Sequence, residues 1–110
     1  MSTFKIKLLE DAERDLRRIE DYVGEYKVNK IFEKINEDIQ NLSFMPRAHK
    51  TLFSSKDPTG EYRRMISGKY SIIYQIKKDQ IFIIRIFHHK QNYLNSKHFI
   101  LKEKSETYHK

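Results

Sequence analysis

The chain has 110 residues, of which 38% are hydrophobic and 34% charged, so it is long enough for one hydrophobic core and short for two. It has no cysteine, which excludes disulfides, thiolate metal sites and cysteine nucleophiles. The N-terminal residues lack the apolar stretch of a secretory signal and no later run is long enough for a membrane helix, so we expect one cytoplasmic domain over residues 1–110.

The net charge of +7 is distributed unevenly along the sequence. Residues 1–44 contain 8 Lys/Arg and 10 Asp/Glu, a balance of −2, whereas residues 45–110 contain 14 and 5, a balance of +9. A basic surplus concentrated in this way attracts a polyanion or an acidic protein better than the same charge scattered over the surface. The alternative interpretation is a lysine-rich surface that serves only solubility.

The first elements in chain order are a strand and a helix. Apolar and lysine side chains alternate over residues 4–8, which is the period of a strand with one buried face. Apolar residues then recur at steps of three and four from Ala12 to Tyr26, and charged residues lie between them. This spacing predicts an amphipathic helix, which Glu10 or Asp11 could cap.

A second helix and a loop follow. Helical spacing resumes over Val28–Leu42 until Pro46 prevents its continuation, and the two helices should form a hairpin. From Arg47 to Gly60 the periodicity disappears and turn-forming residues collect, so we expect a loop there.

Three extended segments fill most of the remaining chain. They are Tyr62–Ile66, Tyr70–Ile76 and Ile81–His88, and the polar breaks between them, residues 67–69 and 77–80, are short enough for hairpins. We therefore predict a three-stranded antiparallel meander. The last of these strands is apolar at nearly every residue, which is typical of an interior strand buried on both faces.

The predicted fold class is α+β, with an N-terminal strand, a helical hairpin and the three-stranded meander. Residues 94–110 begin with a few apolar side chains and continue with charged and polar ones, so a short helix and a tail are expected there.

Several segments in this order resemble the RelE/ParE superfamily of bacterial and archaeal toxins over about residues 4–93. The segment Ala12–Tyr22 is similar to the opening helix of that family. More specific are Gly60–Arg63, then Tyr70–Ile76 with its Ile-x-Tyr, and then Ile83–His88, which ends in a histidine followed by basic residues. The resemblance implies a twisted antiparallel sheet with a helical hairpin packed on one side. It also implies the toxic half of a type II toxin–antitoxin pair, of the kind linked to plasmid stabilization, whose antitoxin covers the active surface.

One branch of the superfamily, RelE, cuts messenger RNA in the ribosome without a metal ion. Such cleavage needs positive charge at the phosphate, a proton-transfer group and stacking on a base. Under this reading, the catalytic residues are His88, Tyr93 and Arg63, and the substrate- or target-binding residues are Arg64, Lys69, Arg85, His89, Lys90, Lys50 and Lys56.

The chain departs from the nuclease pattern at two places. It has Ser71 where RelE nucleases carry an arginine in the middle strand, and residues 89–93 lack their arginine cluster. ParE toxins, which inhibit DNA gyrase by binding, end the last strand with a histidine as this chain does at His88. The sequence therefore favours a ParE-like toxin that inhibits growth through gyrase, with RelE-like RNA cleavage as the alternative.

Each of these residues also has a structural interpretation. His88 and His89 point to opposite faces if the strand continues through both, and so do Arg63 and Arg64, one of which could support the sheet through a carboxylate. The five histidines show no metal-ligand spacing, and we expect neither a metal nor a cofactor.

The expected partners are a cognate antitoxin and either gyrase or the ribosome with its mRNA. Operator DNA would be contacted only through the antitoxin complex, and no membrane partner is expected. A different class of function also remains open. The chain could be a non-toxic basic module that binds nucleic acid with an affinity that falls steeply as the salt concentration rises.

Overall fold

The computed structural model describes residues 3–52 and 61–88 of the chain. These residues form two α-helices, one short 3-10 helix and five strands. In chain order they are β1 (Lys5–Leu8), α1 (Glu10–Val23), α2 (Glu25–Asn41), the 3-10 helix (Pro46–Ala48), β2 (Lys50–Thr51), β3 (Glu61–Ser67), β4 (Tyr70–Lys77) and β5 (Gln80–His88). The predicted α+β class is confirmed.

All five strands belong to one sheet with the order β1-β5-β4-β3-β2. The three late strands pair in sequence and antiparallel, which confirms the predicted meander. Gly68, in the turn between β3 and β4, has a φ of +59°, a conformation that glycine adopts without the cost that a Cβ would add. The opening strand β1 lies parallel to β5, so the helical hairpin forms the connection that a parallel pair requires.

Strand β5 lies between β1 and β4 and is buried on both faces, as its composition predicts. Its consecutive residues Ile83 and Ile84 are both buried. Ile83 belongs to the main core between the helices and the sheet, and Ile84 to a smaller cluster on the opposite face with Ile73. Both helices contribute only to the first of these clusters, so the hairpin packs on one side of the sheet.

The start of α1 differs from the prediction. The helix begins at Glu10 itself, Leu9 occupies the capping position, and no side chain caps the helix there. Glu10 and Asp11 instead lie in the first turn, where their negative charges interact favourably with the helix dipole. The hairpin turn is Gly24, whose φ of +80° ends α1 and allows α2 to begin at Glu25, ahead of the predicted start.

The predicted loop from Arg47 to Gly60 is only partly correct. Its first residues form the end of the 3-10 helix and the two-residue strand β2, which pairs antiparallel with β3. The strand is too short for any periodicity to reveal it in the sequence. Residues 53–60, and the short helix predicted within residues 94–110, lie outside the described part of the chain.

Candidate functional site

A groove of about 680 Å³ lies between α1 and the adjoining ends of β4 and β5. Its lining combines a buried ion pair, an exposed arginine, aromatic residues and buried isoleucines. These residues are Asp15, Arg18, Ile19 and Tyr22 of α1, Tyr70 of β4, and Arg85, Ile86, Phe87 and His88 of β5. Such a lining suits a ligand that carries both apolar and charged groups.

Asp15 joins α1 to β5 within this groove. Its carboxylate accepts hydrogen bonds from Arg85 Nε at 2.8 Å and Nη2 at 3.1 Å, and from the backbone N–H of Ile86 at 2.8 Å. Strand β1 pairs with β5 only as far as Ile83, so beyond that point Asp15 supplies an acceptor that a neighbouring strand would otherwise provide. Asp15 and Arg85 therefore hold the helix on the sheet, and the charge of Arg85 is largely neutralised.

The rings of Tyr70 and His88 meet at the end of the β4–β5 pair. Their centroids are 5.5 Å apart and their planes are inclined at 75°, an edge-to-face contact that orients the imidazole. Burial, with a smaller contribution from the nearby Tyr22, raises the pKa of Tyr70 above its usual value. The Tyr70 hydroxyl therefore keeps its proton to a higher pH than an exposed tyrosine does, and can donate a hydrogen bond.

A second polar group, the edge cluster of Arg47, Glu61 and Arg63, lies where β3 meets β2. Arg63 Nε and Nη2 each contact Glu61 Oε2 at 2.8 Å, and Arg63 Nη1 donates to the backbone carbonyls of Arg47 and His49. Arg47 Nε donates to Glu61 Oε1 at 2.7 Å. Burial alone would raise the pKa of Glu61, but the hydrogen bonds and charges of the two arginines together outweigh it and lower that pKa. Arg63 thus supports the sheet through a carboxylate.

Tyr74 anchors the same edge from β4. Its hydroxyl donates a hydrogen bond to the backbone carbonyl of Pro46, and burial raises its pKa to about 12. Together with Arg63, this contact holds the 3-10 helix and β2 against the sheet.

Lys50 and Arg64 occupy paired positions on β2 and β3, on the sheet face opposite the helices. Arg64 Nε donates to Ser71 Oγ at 3.2 Å, so the serine at which the chain departs from the nuclease pattern is a buried acceptor for this arginine. Lys69 is exposed in the turn that precedes Tyr70. Among the predicted basic residues that the structure describes, Lys50 and Arg64 therefore lie at the β2–β3 edge, Lys69 in a turn and Arg85 on the interior strand β5.

The structure does not bring Arg63 and His88 together. His88 of β5 pairs with Tyr70 of β4, which pairs with Ser67 of β3. Arg63 therefore lies two strands away from His88, and four residues from Ser67 along β3. With strands about 4.8 Å apart and about 3.3 Å per residue, their Cα positions are separated by about 16 Å. Of the predicted residues that the structure describes, only Arg85 and His88 line the groove.

The other predicted site residues lie outside the described part of the chain, and they are Lys56, His89, Lys90 and Tyr93. Within residues 3–52 and 61–88, no three His, Asp or Glu side chains are grouped so that they could hold a metal ion. In the same two segments, no helix is long and apolar enough to cross a membrane.

A family model described as the ParE toxin of the type II toxin–antitoxin system, parDE, matches residues 6–93, which include the groove and the edge cluster. The chain belongs to this family. The RelE/ParE resemblance is confirmed, and so is the expectation of a ParE-like type II toxin. A comparison with curated proteins finds no match.

Solved structures of the superfamily share the fold of this ParE-family chain. The chromosomal ParDE system of P. aeruginosa has a TM-score of 0.61 at 23% identity, with 78% of this chain and 96% of that chain covered. The archaeal RelE–RelB complex of Pyrococcus horikoshii has a TM-score of 0.60 at 15% identity, with 82% of this chain and 99% of that chain covered. The toxin–antitoxin complex RelBE2 of Mycobacterium tuberculosis has a TM-score of 0.54 at 21% identity, with 80% of this chain and 93% of that chain covered. At these identities the likeness concerns the fold alone.

The site predicted from the sequence did not include the helix side of the groove in this toxin, whose polar residues are Asp15, Arg18 and Tyr22. The signal for Asp15 was present, because it lies three residues after Ala12 and four before Ile19, and both of these are buried. That spacing places a carboxylate on the apolar stripe of α1, where it needs a charged partner. For Arg18 and Tyr22, no pattern distinguishes them from other exposed residues of the helix.

Proposed function

We propose that this ParE-family toxin arrests growth by binding DNA gyrase in the cytoplasm, and that a cognate antitoxin holds it inactive. Membership of the toxin family supports the toxic role. Two of the structures with the same fold are complexes of a toxin with its antitoxin, which supports the second part of the proposal.

The separation of Arg63 from His88 is the observation that favours binding over RNA cleavage. Cleavage without a metal needs a proton-transfer group and positive charge at the same phosphate. Arg63 lies about 16 Å from His88 by strand geometry, and its guanidinium is engaged by Glu61 and by two backbone carbonyls. An arginine held in this way supports the sheet edge and is poorly placed to stabilise a phosphate next to His88.

Lys50 and Arg64 support RelE-like mRNA cleavage as the alternative function. They lie side by side on the face of the sheet away from the helices, where paired positive charges would attract a phosphate backbone. The two mechanisms differ in what they damage, so they can be separated in the same culture.

The test is to induce the chain in growing cells, with and without the product of the adjacent gene, and to measure growth, plasmid supercoiling and new transcript ends. The proposal predicts growth arrest, loss of negative supercoiling, intact transcripts and rescue by the adjacent gene product. Defined transcript cuts with normal supercoiling would contradict gyrase binding and establish the nuclease alternative. Uninhibited growth would indicate the non-toxic binding module.

Variants of the basic pair make this test sharper. Lys50→Gln should leave supercoiling loss unchanged if gyrase is the target, but it should weaken RNA cleavage if the basic pair binds a phosphate. Lys77→Gln is the matched control, because Lys77 is an exposed lysine at the end of β4, two strands away from β2.

A further inference from the structure

We infer that the groove between α1 and the ends of β4 and β5 is a docking site for an apolar segment of the antitoxin that carries one carboxylate. In this arrangement Arg18 binds a carboxylate of the segment, and an apolar side chain lies between Tyr22 and Tyr70. The inference rests on the proposed function, since it names the place where the antitoxin binds.

Arg18 is the cation of the groove that is available to an incoming carboxylate. Its side chain is 72% exposed, and among the described residues its nearest carboxylate is Asp15 at 3.7 Å. Both oxygens of Asp15 are already engaged by Arg85, and one of them also by the Ile86 N–H. By contrast, Arg14 on the same helix lies 2.6 Å from Glu10. The Arg18 guanidinium therefore has most of its donors directed to solvent.

The aromatic rim provides the apolar part of the site. Tyr22 is 90% exposed although it borders a groove whose inner lining includes the buried residues Ile19, Tyr70 and Ile86. Tyrosine and arginine are, with tryptophan, the side chains enriched among the residues that contribute most to binding at protein interfaces. An apolar side chain placed against Tyr22 would cover this ring and contact the isoleucines below it.

The charges of helix α1, which forms one wall of the groove, favour a peptide over a nucleic acid. Helix α1 carries three arginines against six acidic residues, which are Glu10, Asp11, Glu13, Asp15, Glu20 and Asp21. A phosphate backbone would meet this negative helix along its length, whereas a peptide can offer one carboxylate to Arg18 and apolar side chains elsewhere.

The end of β5 that β1 does not pair with indicates that the antitoxin segment binds through its side chains and does not add a strand to the sheet. Adding a strand to β5 would require the backbone groups beyond Ile83, where β1 ends. The Ile86 N–H is already bound by Asp15 at 2.8 Å, so strand addition there would have to break a buried hydrogen bond.

Two pairs of variants on the full chain test the site, and the product of the adjacent gene is the binding probe. Arg18→Gln is compared with Arg17→Gln, because these neighbouring arginines are 72% and 70% exposed. Tyr22→Ala is compared with Tyr26→Ala, because both rings are exposed and only Tyr22 borders the groove. Arg18→Gln and Tyr22→Ala should each weaken binding by about tenfold or more, and the controls by less than about threefold. Equal affinities for all four variants, or equal losses in all four, would overturn the inference.

A fluorescence measurement gives a second readout, since the chain has no tryptophan. The emission of Tyr22→Trp should shift to shorter wavelength when the antitoxin binds, relative to the same complex made with Tyr26→Trp. Emission that stays solvent-like in the Tyr22→Trp complex would overturn the docking site while leaving the toxin–antitoxin pairing intact. A wild-type chain that fails to bind the adjacent gene product would instead contradict the proposed function itself.

Discussion

Replacing Asp15 by Asn should destabilise the fold more than any other single change of charge on α1. The substitution keeps the shape of the side chain but removes the negative charge that Arg85 contacts at 2.8 and 3.1 Å. The Arg85 side chain is 16% exposed, so its mostly buried guanidinium would lose the counter-charge of Asp15. Breaking a buried pair in this way costs about 3 to 5 kcal/mol, and partial exposure of Arg85 places our expectation at about 3 kcal/mol. For a domain of this size, that corresponds to a fall in Tm of more than about 10 °C.

Urea unfolding followed by circular dichroism measures the effect of Asp15→Asn on the free energy of unfolding. The comparison requires that this free energy falls with urea concentration at the same slope in the variant and in the wild-type chain. Asp11→Asn is the matched control, because Asp11 is an exposed carboxylate of the same helix with a longer contact of 3.4 Å to Arg14. The control should change the free energy of unfolding by less than about 0.5 kcal/mol. If Asp15→Asn is equally mild, the account of the ion pair as the link between α1 and β5 is refuted.

Three further predictions concern the sheet edge and one turn, and each is measured by urea unfolding. Tyr74→Phe should cost about 1 kcal/mol through loss of the hydrogen bond to Pro46. Because the pKa of Tyr74 is about 12 in the fold against 10 otherwise, stability should fall as pH rises through this interval, and the variant should lack that part of the fall. Glu61, whose pKa is lowered in the fold, should contribute stability above its ordinary pKa and lose it as pH falls through the folded value. A Glu61→Gln variant with an unchanged acid dependence of stability would contradict this. Lys78→Gly should stabilise the chain by about 1 kcal/mol, because Lys78 has a φ of 58°, and a loss of stability would argue against strain at this turn.

The meander was predictable because its three strands are long and apolar and are separated by short polar breaks. The position of β5 followed from its composition, since Ile83 and Ile84 leave no polar face. Strand β2 was not predictable, because two residues show no alternation. It is held through Arg63 and Tyr74, which bind the backbone of His49 and Pro46 from β3 and β4.

The site was less predictable than the fold because its contacts join residues far apart in sequence. Asp15 and Arg85 are 70 residues apart, and nothing local in the sequence relates them. The expectation that Arg63 or Arg64 would support the sheet through a carboxylate is met by Arg63, but the nearby Glu61 was not named as that carboxylate. Arg63 and His88 were grouped from their chemistry alone, and the pairing register places them on strands that are not neighbours.

The proposed role as a gyrase inhibitor is tested most directly by a supercoiling assay with purified DNA gyrase and the purified chain. We predict that the chain inhibits supercoiling in proportion to its concentration, and that the antitoxin, added in equal amount, restores the reaction. Supercoiling that proceeds normally at a concentration of the chain that arrests growth would contradict gyrase as the target.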